Sequence, residues 1–557
     1  MDKKKNIKQA PKKATASART ELATLKKQPD YYIIFLWIMI GIVSMIRYRL
    51  ISVPFERDEG EYGYIGNLFL HGIAPFKNAY SMKLPGTSFM YAILMSIFGH
   101  TNNGVHLGLL FLNAATMYFL YVSLKKIFNP FIGLTTASIY GLMAIGLVFD
   151  GFAAHATHFI CFFSSVGLFF LADYMRSGKA LKVFLFGLML GMAFLMKQQA
   201  VFLIMFGGIY ILAFLKMEKK KNIPEIFKSI SIFGAGVFIP YLVVLLIITV
   251  SGQFHIFWLW TVDYASKYEA VKSMDYIITL FNITFGPAWD AFYFIWILAL
   301  GGVLVLYMSS YTRLQKIFSI TYLVASACVV SAGFYFRQHY FIAILPALGL
   351  MSAIFLDFII RKIPALKSSK APLIVLSVVV LVTILTNKTY YFTYAPKVVC
   401  SIAYWGNPFN EAQEISKYIQ DNTKDTDKIA VLGSEPEIYF YANRTAATGY
   451  LYTYPLVENQ PYNLAMQEQM VSEIEKSKPA YMVFCNISYS WLTQKGSPKK
   501  IFEWGDKYIH DNYSPVGFAD FFKDKGWQLF WGDDIKNRTN QPESSVIVLK
   551  RNAENKI

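Results

Sequence analysis

Residues 31–62 read YYIIFLWIMIGIVSMIRYRLISVPFERDEGEY. The part up to residue 51 is an apolar run close to the ~20 residues a helix needs to cross a bilayer. Directly after it come Glu56, Arg57, Asp58, Glu59 and Glu61, four carboxylates within six residues. Packing does not explain such a cluster. Charged groups beside a bilayer sit in water or line a polar cavity, and clusters of them mark functional sites.

Working outward, ten more apolar windows of similar size follow, at 104–124, 131–149, 155–173, 181–197, 199–215, 229–250, 289–308, 314–333, 338–359 and 371–389. The windows at 181–197 and 199–215 nearly touch. Together with the first run they predict a polytopic, all-helical membrane protein of about eleven transmembrane helices over 31–389. Composition agrees: of 557 residues, 55% are hydrophobic and only 16% charged, which excludes an ordinary soluble domain. A net charge of +17 would suit nucleic acid, but the lysines fall in short loops between apolar runs, where they anchor a chain beside anionic lipid. The Lys-rich segment 1–30 is too long before its apolar run for a simple cleaved signal peptide and reads as a disordered cytoplasmic tail.

Basic residues sit in alternate connections: Lys125 and Lys126, Arg176 to Lys182, Lys216 to Lys228, Arg313 and Lys316, and Arg361 to Lys370. With eleven spans all of them share the side of the N-terminus, so the positive-inside rule places that side in the cytoplasm and the C-terminal region outside. The other face receives the acidic stretch and Lys83, Asp150 with His155 and His158, Lys197, the loop 251–288, and Arg337 to Tyr340. Nearly every ionisable group near an apolar run, the cytoplasmic anchors aside, converges on that face.

Two regions stand apart. Within 52–103, Gly63–Leu70 and Gly86–Phe98 read as helices lying at the interface with aromatic faces towards lipid. Residues 390–557 read as an extracytoplasmic α/β domain, with a helix at Glu411–Gln420 and strands at Lys428–Gly433, Ala480–Asn486 and Ser545–Leu549. Cys161 and Cys328 read as buried small hydrophobes, whereas Cys400 and Cys485 could pair if their domain is extracytoplasmic. No Cys/His ligand spacing or nucleotide-binding glycine loop is found.

A carboxylate at such a face can deprotonate an acceptor as general base, and Lys and Arg can hold a phosphate. The combination suits transfer of a group from a lipid-borne phosphate, which leaves without needing an acid and is helped by cations. Asp58 is the leading base, with Glu59 as its neighbour. Glu56 and Glu61 read as solvated or paired with Arg57. Asp150 either joins the acidic set or ends a helix. His155 and His158, three apart, have ligand-like spacing, but contact with the acceptor or burial accounts for them better than metal. Lys197 and Arg337 either bind phosphate or anchor the chain.

The chain resembles the bacterial branch of polyprenol-phosphate-dependent glycosyltransferases of the GT-C fold (family 39, the protein O-mannosyltransferase and lipid A aminoarabinose transferase relatives). The matching residues are Asp58-Glu59 with Tyr62-Gly63-Tyr64-Ile65, Lys83-Leu84-Pro85-Gly86, Leu195 to Gln199, and His339-Tyr340-Phe341 leading into Leu345-Pro346-Ala347. In the C-terminal region they are Gly433 to Tyr439 and Tyr450 to Pro455. The resemblance implies Asp58, Glu59 and Asp150 as the catalytic carboxylates. It implies Lys83, with Lys197, Arg337 and His339, at the donor phosphate, since Gly60 and Glu61 stand where some relatives carry a basic residue. Tyr62, His155, His158 and Tyr340 are the expected substrate contacts. The expected donor is a polyprenyl-phosphate sugar (undecaprenyl in a bacterium) and the acceptor a lipid, glycan or protein. No cofactor or metal is expected, although Asp58, Glu59 and Asp150 could converge on a divalent ion. The expected location is the bacterial inner membrane. A transporter or flippase of lipid-linked glycans is the competing reading, weakened by the lack of an internal repeat.

Overall fold

A computed structural model describes residues 30–268, 273–366, 368, 370–538 and 541–553; the expected tail, apart from Asp30, lies outside the described residues. Eight described helices are long and apolar enough to cross a membrane: Tyr31–Arg49, Asn102–Ile127, Ala156–Ser177, Gln198–Met217, Ile223–Val250, Met274–Leu306, Arg313–Phe334 and Gln338–Lys362. The other three expected windows hold shorter apolar helices, Pro130–Met143, Ala180–Met196 and Ala371–Thr386. At 1.5 Å per residue these measure about 21–26 Å. Pro130–Met143 is buried at every position from Phe131 on. It packs between Asn102–Ile127 and Leu345–Lys362, so its neighbours rather than its own length meet the lipid. The protein is a polytopic membrane protein.

The bundle has two chemically distinct ends. At one, Lys125 pairs with Asp30 at 2.9 Å, and Lys126 and Lys182 both reach Asp173, at 2.6 and 3.4 Å. The other end is tied together by two arginines that close the first helix. Buried Arg47 donates to the carbonyls of Ala144 (2.8 Å) and Gly151 (2.9 Å). A cation over the last carbonyls of Pro130–Met143 opposes the partial negative charge of that terminus, and it fixes the turn that carries Asp150. Arg49 donates to the carbonyls of Tyr390, Tyr391 and Tyr394, clamping the connection that leaves the last apolar helix.

That connection leads into a six-stranded sheet of strands β1 (Lys428–Leu432), β2 (Thr445–Ala446), β3 (Tyr481–Asn486), β4 (Tyr513–Phe522), β5 (Gly526–Trp531) and β6 (Ser544–Arg551), in the order β2-β1-β3-β6-β4-β5. The β1 strand runs parallel to β2 and β3, whereas β6 and the β4–β5 hairpin are antiparallel. Strands β1, β3 and β6 lie where the apolar runs predict them, and the helix Phe409–Asp421 covers the expected Glu411–Gln420. The β4–β5 hairpin was not anticipated. Its residues 513–531 mix aromatics with Ser, Asp and Lys rather than forming an apolar run, and β5 is only partly buried.

Two sequence expectations need correction. The helix Arg57–Leu70 does not lie on lipid: Glu59 to Gly66 are all buried, between the C-terminal domain on one side and the helices Gly86–Phe98 and Asn102–Ile127 on the other. Contact is so close at Gly60 that a Cβ there would fall 2.4 Å from the Glu437 nitrogen, a spacing only glycine permits. Cys400 and Cys485 are both buried and unpaired. Each sits in its own packed cluster, Cys400 with Tyr390 and Phe409 and Cys485 in the sheet core, so the pairing fails on placement.

Candidate active site

The Arg57–Leu70 helix starts under the C-terminal domain, and its first turn sorts the acidic stretch by helical geometry. Glu56 is the N-cap and accepts from the Glu59 nitrogen at 2.9 Å, a usual way to satisfy an orphan donor of the first turn. Asp58 and Glu61, three apart, share one face, and both accept from the Lys83 ammonium; the Asp58 contact measures 2.7 Å. Glu59 turns the other way. Fully buried, it accepts from His106 Nε2 (2.9 Å), the Tyr91 hydroxyl (3.1 Å) and the Ala154 nitrogen (2.7 Å). It thereby joins the acidic helix to Asn102–Ile127 and to the loop before Ala156–Ser177, a holding role rather than an accessible one.

The expectation that Glu56 and Glu61 are solvated or pair with Arg57 is overturned. Both are buried, and Arg57 instead pairs with Glu435 at 2.8 Å and donates to Asn407 Oδ1 at 3.1 Å. Helical spacing from Asp58 is the signal that could have placed Glu61 beside Lys83.

Asp58 remains the accessible carboxylate, with 27% of its side chain exposed. Its Oδ1 accepts from Lys83 and, at 3.0 Å, from the hydroxyl of Tyr452 in the C-terminal domain. Its Oδ2 lies 4.0 Å from His339 Nε2. Burial alone would raise the Asp58 pKa, but Lys83, His339 and His155 outweigh it and hold the carboxyl well below the usual range. Burial likewise opposes the Lys83 charge, and Asp58 and Glu61 reverse that, raising its pKa. Lys83 also stands 4.5 Å above the Tyr62 ring and 5.3 Å from that of Tyr452.

A second cation lies within electrostatic reach of Asp58 and Lys83. Lys197 caps the helix Ala180–Met196 and sits 3.3 Å above the ring of Tyr340. Burial, with Lys83 and Arg337 nearby, lowers its pKa to about 7 although Asp58 pulls the other way. His339 stacks on His155, with ring centroids 4.0 Å apart. Burial takes the His155 pKa down to about 4, so its ring is neutral. Among the described residues, one set of groups could hold a cation: a ligand atom from each of Asp58, His155 and His339 lies within 4.8 Å of the others. These are not the residues expected to converge on an ion, since Glu59 and Asp150 are absent from the set.

Of the expected residues, the structure thus brings together Asp58, Lys83, Tyr62, His339, His155, Tyr340 and Lys197. Arg337 acts on Lys197 through its charge. Asp150 is buried in a left-handed turn (φ 48°) and joins neither Lys83 nor His339; burial, then Glu59 and Asp58, raise its pKa to about 8, so it is mainly protonated at neutral pH. His158 is fully buried one turn below His155. Glu61 and Tyr452 belong to the arrangement without having been expected there. Tyr452 comes from 394 residues away, and no local pattern points from one to the other.

Comparison with known proteins bears on the fold. Residues 82–244 match the model of the dolichyl-phosphate-mannose-protein mannosyltransferase family. Among solved structures, ArnT from Cupriavidus metallidurans, bound to undecaprenyl phosphate, superposes with a TM-score of 0.52 at 13% identity, over 93% of this chain and 98% of that one. The chain has the GT-C fold. The apo oligosaccharyltransferase of Archaeoglobus fulgidus gives a TM-score of 0.52 at 12% identity, covering 94% of this chain and 76% of that one. The archaeal oligosaccharyltransferase AglB of the same organism, in complex with an inhibitory peptide and a dolichol-phosphate, gives 0.50 at 11% identity over 93% and 75%. None of the curated protein sequences matches the chain. The GT-C resemblance read from the sequence is therefore borne out by the family model and by the fold.

Proposed function

We propose that the protein is an inverting glycosyltransferase that moves a sugar from a polyprenyl-phosphate donor, undecaprenyl in a bacterium, to an acceptor at the extracytoplasmic face. The carrying observation is Asp58: a partly exposed carboxylate paired with Lys83 and within electrostatic reach of Lys197, where the bundle meets the C-terminal domain. The solved relatives with bound lipid phosphates support the donor class. The gathering of basic residues at the far end supports a cytoplasmic N-terminus and an extracytoplasmic C-terminal domain.

In this reading the donor's lipid tail lies in the bilayer and its phosphate meets Lys83 and Lys197, with Arg337 at the rim. Asp58 Oδ2 takes the proton of the acceptor hydroxyl or amine. The acceptor atom forms a bond to the anomeric carbon from the face opposite the phosphate. The carbon–oxygen bond to phosphate breaks, and its electron pair leaves on the polyprenyl phosphate, where the lysines stabilise the charge. Lys83 links the two events. While it pairs with Asp58 the carboxylate is a weak base, and moving the ammonium towards the donor phosphate removes the main partner that holds its pKa down. Donor binding then raises the basicity of Asp58 at the moment a base is needed. We assign no metal to these steps. A cation held by Asp58, His155 and His339 would occupy the oxygen that this mechanism uses as the base.

The test is Asp58→Asn in purified protein supplied with polyprenyl-phosphate sugars. Loss of roughly 10²–10⁴ in turnover, typical for removal of a general base, with unchanged thermal unfolding is the expected result. Undiminished transfer refutes the assignment.

A further inference from the structure

Away from Asp58, the C-terminal domain carries a groove of about 380 Å³ between the short helix Pro396–Ala403, the helix Phe409–Asp421 and strand β5. Its walls combine the polar groups of Asn410, Glu411, Glu414 and Lys397 with apolar side chains, the indole of Trp405 and the exposed Ile402 among them. We propose that this groove binds a neutral carbohydrate, and that it holds the part of a glycan-bearing acceptor distal to the reacting hydroxyl.

Three features favour a sugar. First, Trp405 is 57% exposed although its ring packs edge-on against Phe521 at 5.6 Å. An exposed indole beside hydrogen-bonding groups offers a flat apolar surface to the C–H face of a pyranose and a polar rim to its hydroxyls. Second, the polar rim is held in place: Asn410 spends its amide nitrogen on Lys397 O (3.1 Å) and Ser401 Oγ (2.9 Å). Glu414 is already fixed by Trp531 Nε1 at 3.3 Å. Third, the charges nearly cancel. Burial raises the Glu411 pKa to about 7, so near neutral pH this group both donates and accepts, while Lys397 offsets Glu414. Such a set matches a polyhydroxylated, uncharged ligand better than a phosphate or a peptide carboxylate.

The groove is also linked to the proposed reaction centre. Asn407, three residues before Asn410, accepts from Arg57, the neighbour of Asp58, and Phe409 lies 5.4 Å from the same guanidinium. The acceptor role rests on the transferase reading above; the sugar binding does not.

Saturation-transfer NMR on the full-length protein in nanodiscs, with cellobiose, chitobiose and mannobiose as probes, tests the binding directly. At least one disaccharide is expected to receive saturation and to lose it, or bind at least tenfold more weakly, in Trp405→Ala and Asn410→Ala. Both variants should keep wild-type transfer to a monosaccharide-sized acceptor and lose efficiency only with a longer glycan. No saturation of any probe in wild type, or unchanged binding in both variants, overturns the proposal. Strong quenching of the Trp405 component by brominated lipid, taken as wild type minus Trp405→Phe, also overturns it, because the indole would then be a membrane anchor. Failure of transfer with binding intact would remove only the acceptor role.

Discussion

Glu61→Gln isolates the exchange of Lys83 between protein and donor. Glu61 is 1% exposed and nearly isosteric with glutamine, so the change removes a charge from the Lys83 cradle with little change of shape. The Lys83 ammonium stays charged against the amide, so the variant loses only the ion-pair part of this contact, about 1–1.5 kcal/mol for a pair partly exposed on the lysine side and buried on the other. If a donor phosphate must draw Lys83 out of this cradle, that difference appears as affinity, roughly five- to tenfold tighter binding at 1.4 kcal/mol per decade. The same substitution has a structural cost. Glu61 Oε1 has no partner among the described residues, and an amide nitrogen placed there adds an unsatisfied donor at about 1–3 kcal/mol. The variant should thus unfold at lower temperature yet bind undecaprenyl phosphate more tightly than wild type, measured by titration of protein in nanodiscs. Equal or weaker affinity in a folded variant refutes the exchange and leaves Lys83 as a static partner of Asp58.

Three further perturbations probe the same arrangement. Tyr452→Phe removes the hydroxyl shared between Asp58 Oδ1 (3.0 Å) and the Arg57 carbonyl (3.1 Å), which orients the carboxylate, and at about 1.5 kcal/mol should lower kcat by roughly tenfold with donor KM little changed; a pure KM effect in steady-state kinetics would contradict it. Lys197 has a pKa of about 7, so its charge is present below neutral pH and lost as pH rises through 7. Affinity for a polyprenyl-phosphate sugar, whose phosphodiester does not titrate there, should fall between pH 6 and 8, and Lys197→Met should flatten that dependence. Dialysis against EDTA should leave turnover unchanged, whereas loss of turnover restored by a divalent ion would turn Asp58, His155 and His339 into metal ligands.

What the sequence disclosed, and what it hid, follows from the range of the interactions. Membrane helices are legible because each carries its own apolar length. The convergence of ionisable groups on one face follows from counting spans, so Asp58, Lys83, Lys197 and His339 were found although they lie far apart in the chain. The difference between Asp58, Glu59 and Glu61 was within reach too. On a helix, 58 and 61 share a face, and 59 points about 100° away, which here means towards His106 and Tyr91. Reading the stretch as a loop rather than a first helical turn concealed it.

Tyr452 is another matter, since nothing in residues 450–455 marks one tyrosine of three as the partner of a carboxylate in the first loop. Its placement depends on how the C-terminal domain seats on the bundle, and that seating is set by tight backbone contact. Gly60 admits the Glu437 backbone, Arg57 reaches Glu435 and the Ser434 carbonyl, and the Phe55 nitrogen donates to Tyr441 at 2.7 Å. All three contacts fall within six residues of the acidic stretch. The C-terminal domain therefore roofs the first helical turn and supplies one of the hydrogen bonds of Asp58, which makes it a wall of the candidate site. A change that lifts the domain by even an ångström at Gly60, such as Gly60→Ala, would withdraw Tyr452 from Asp58 without altering a single group that touches substrate.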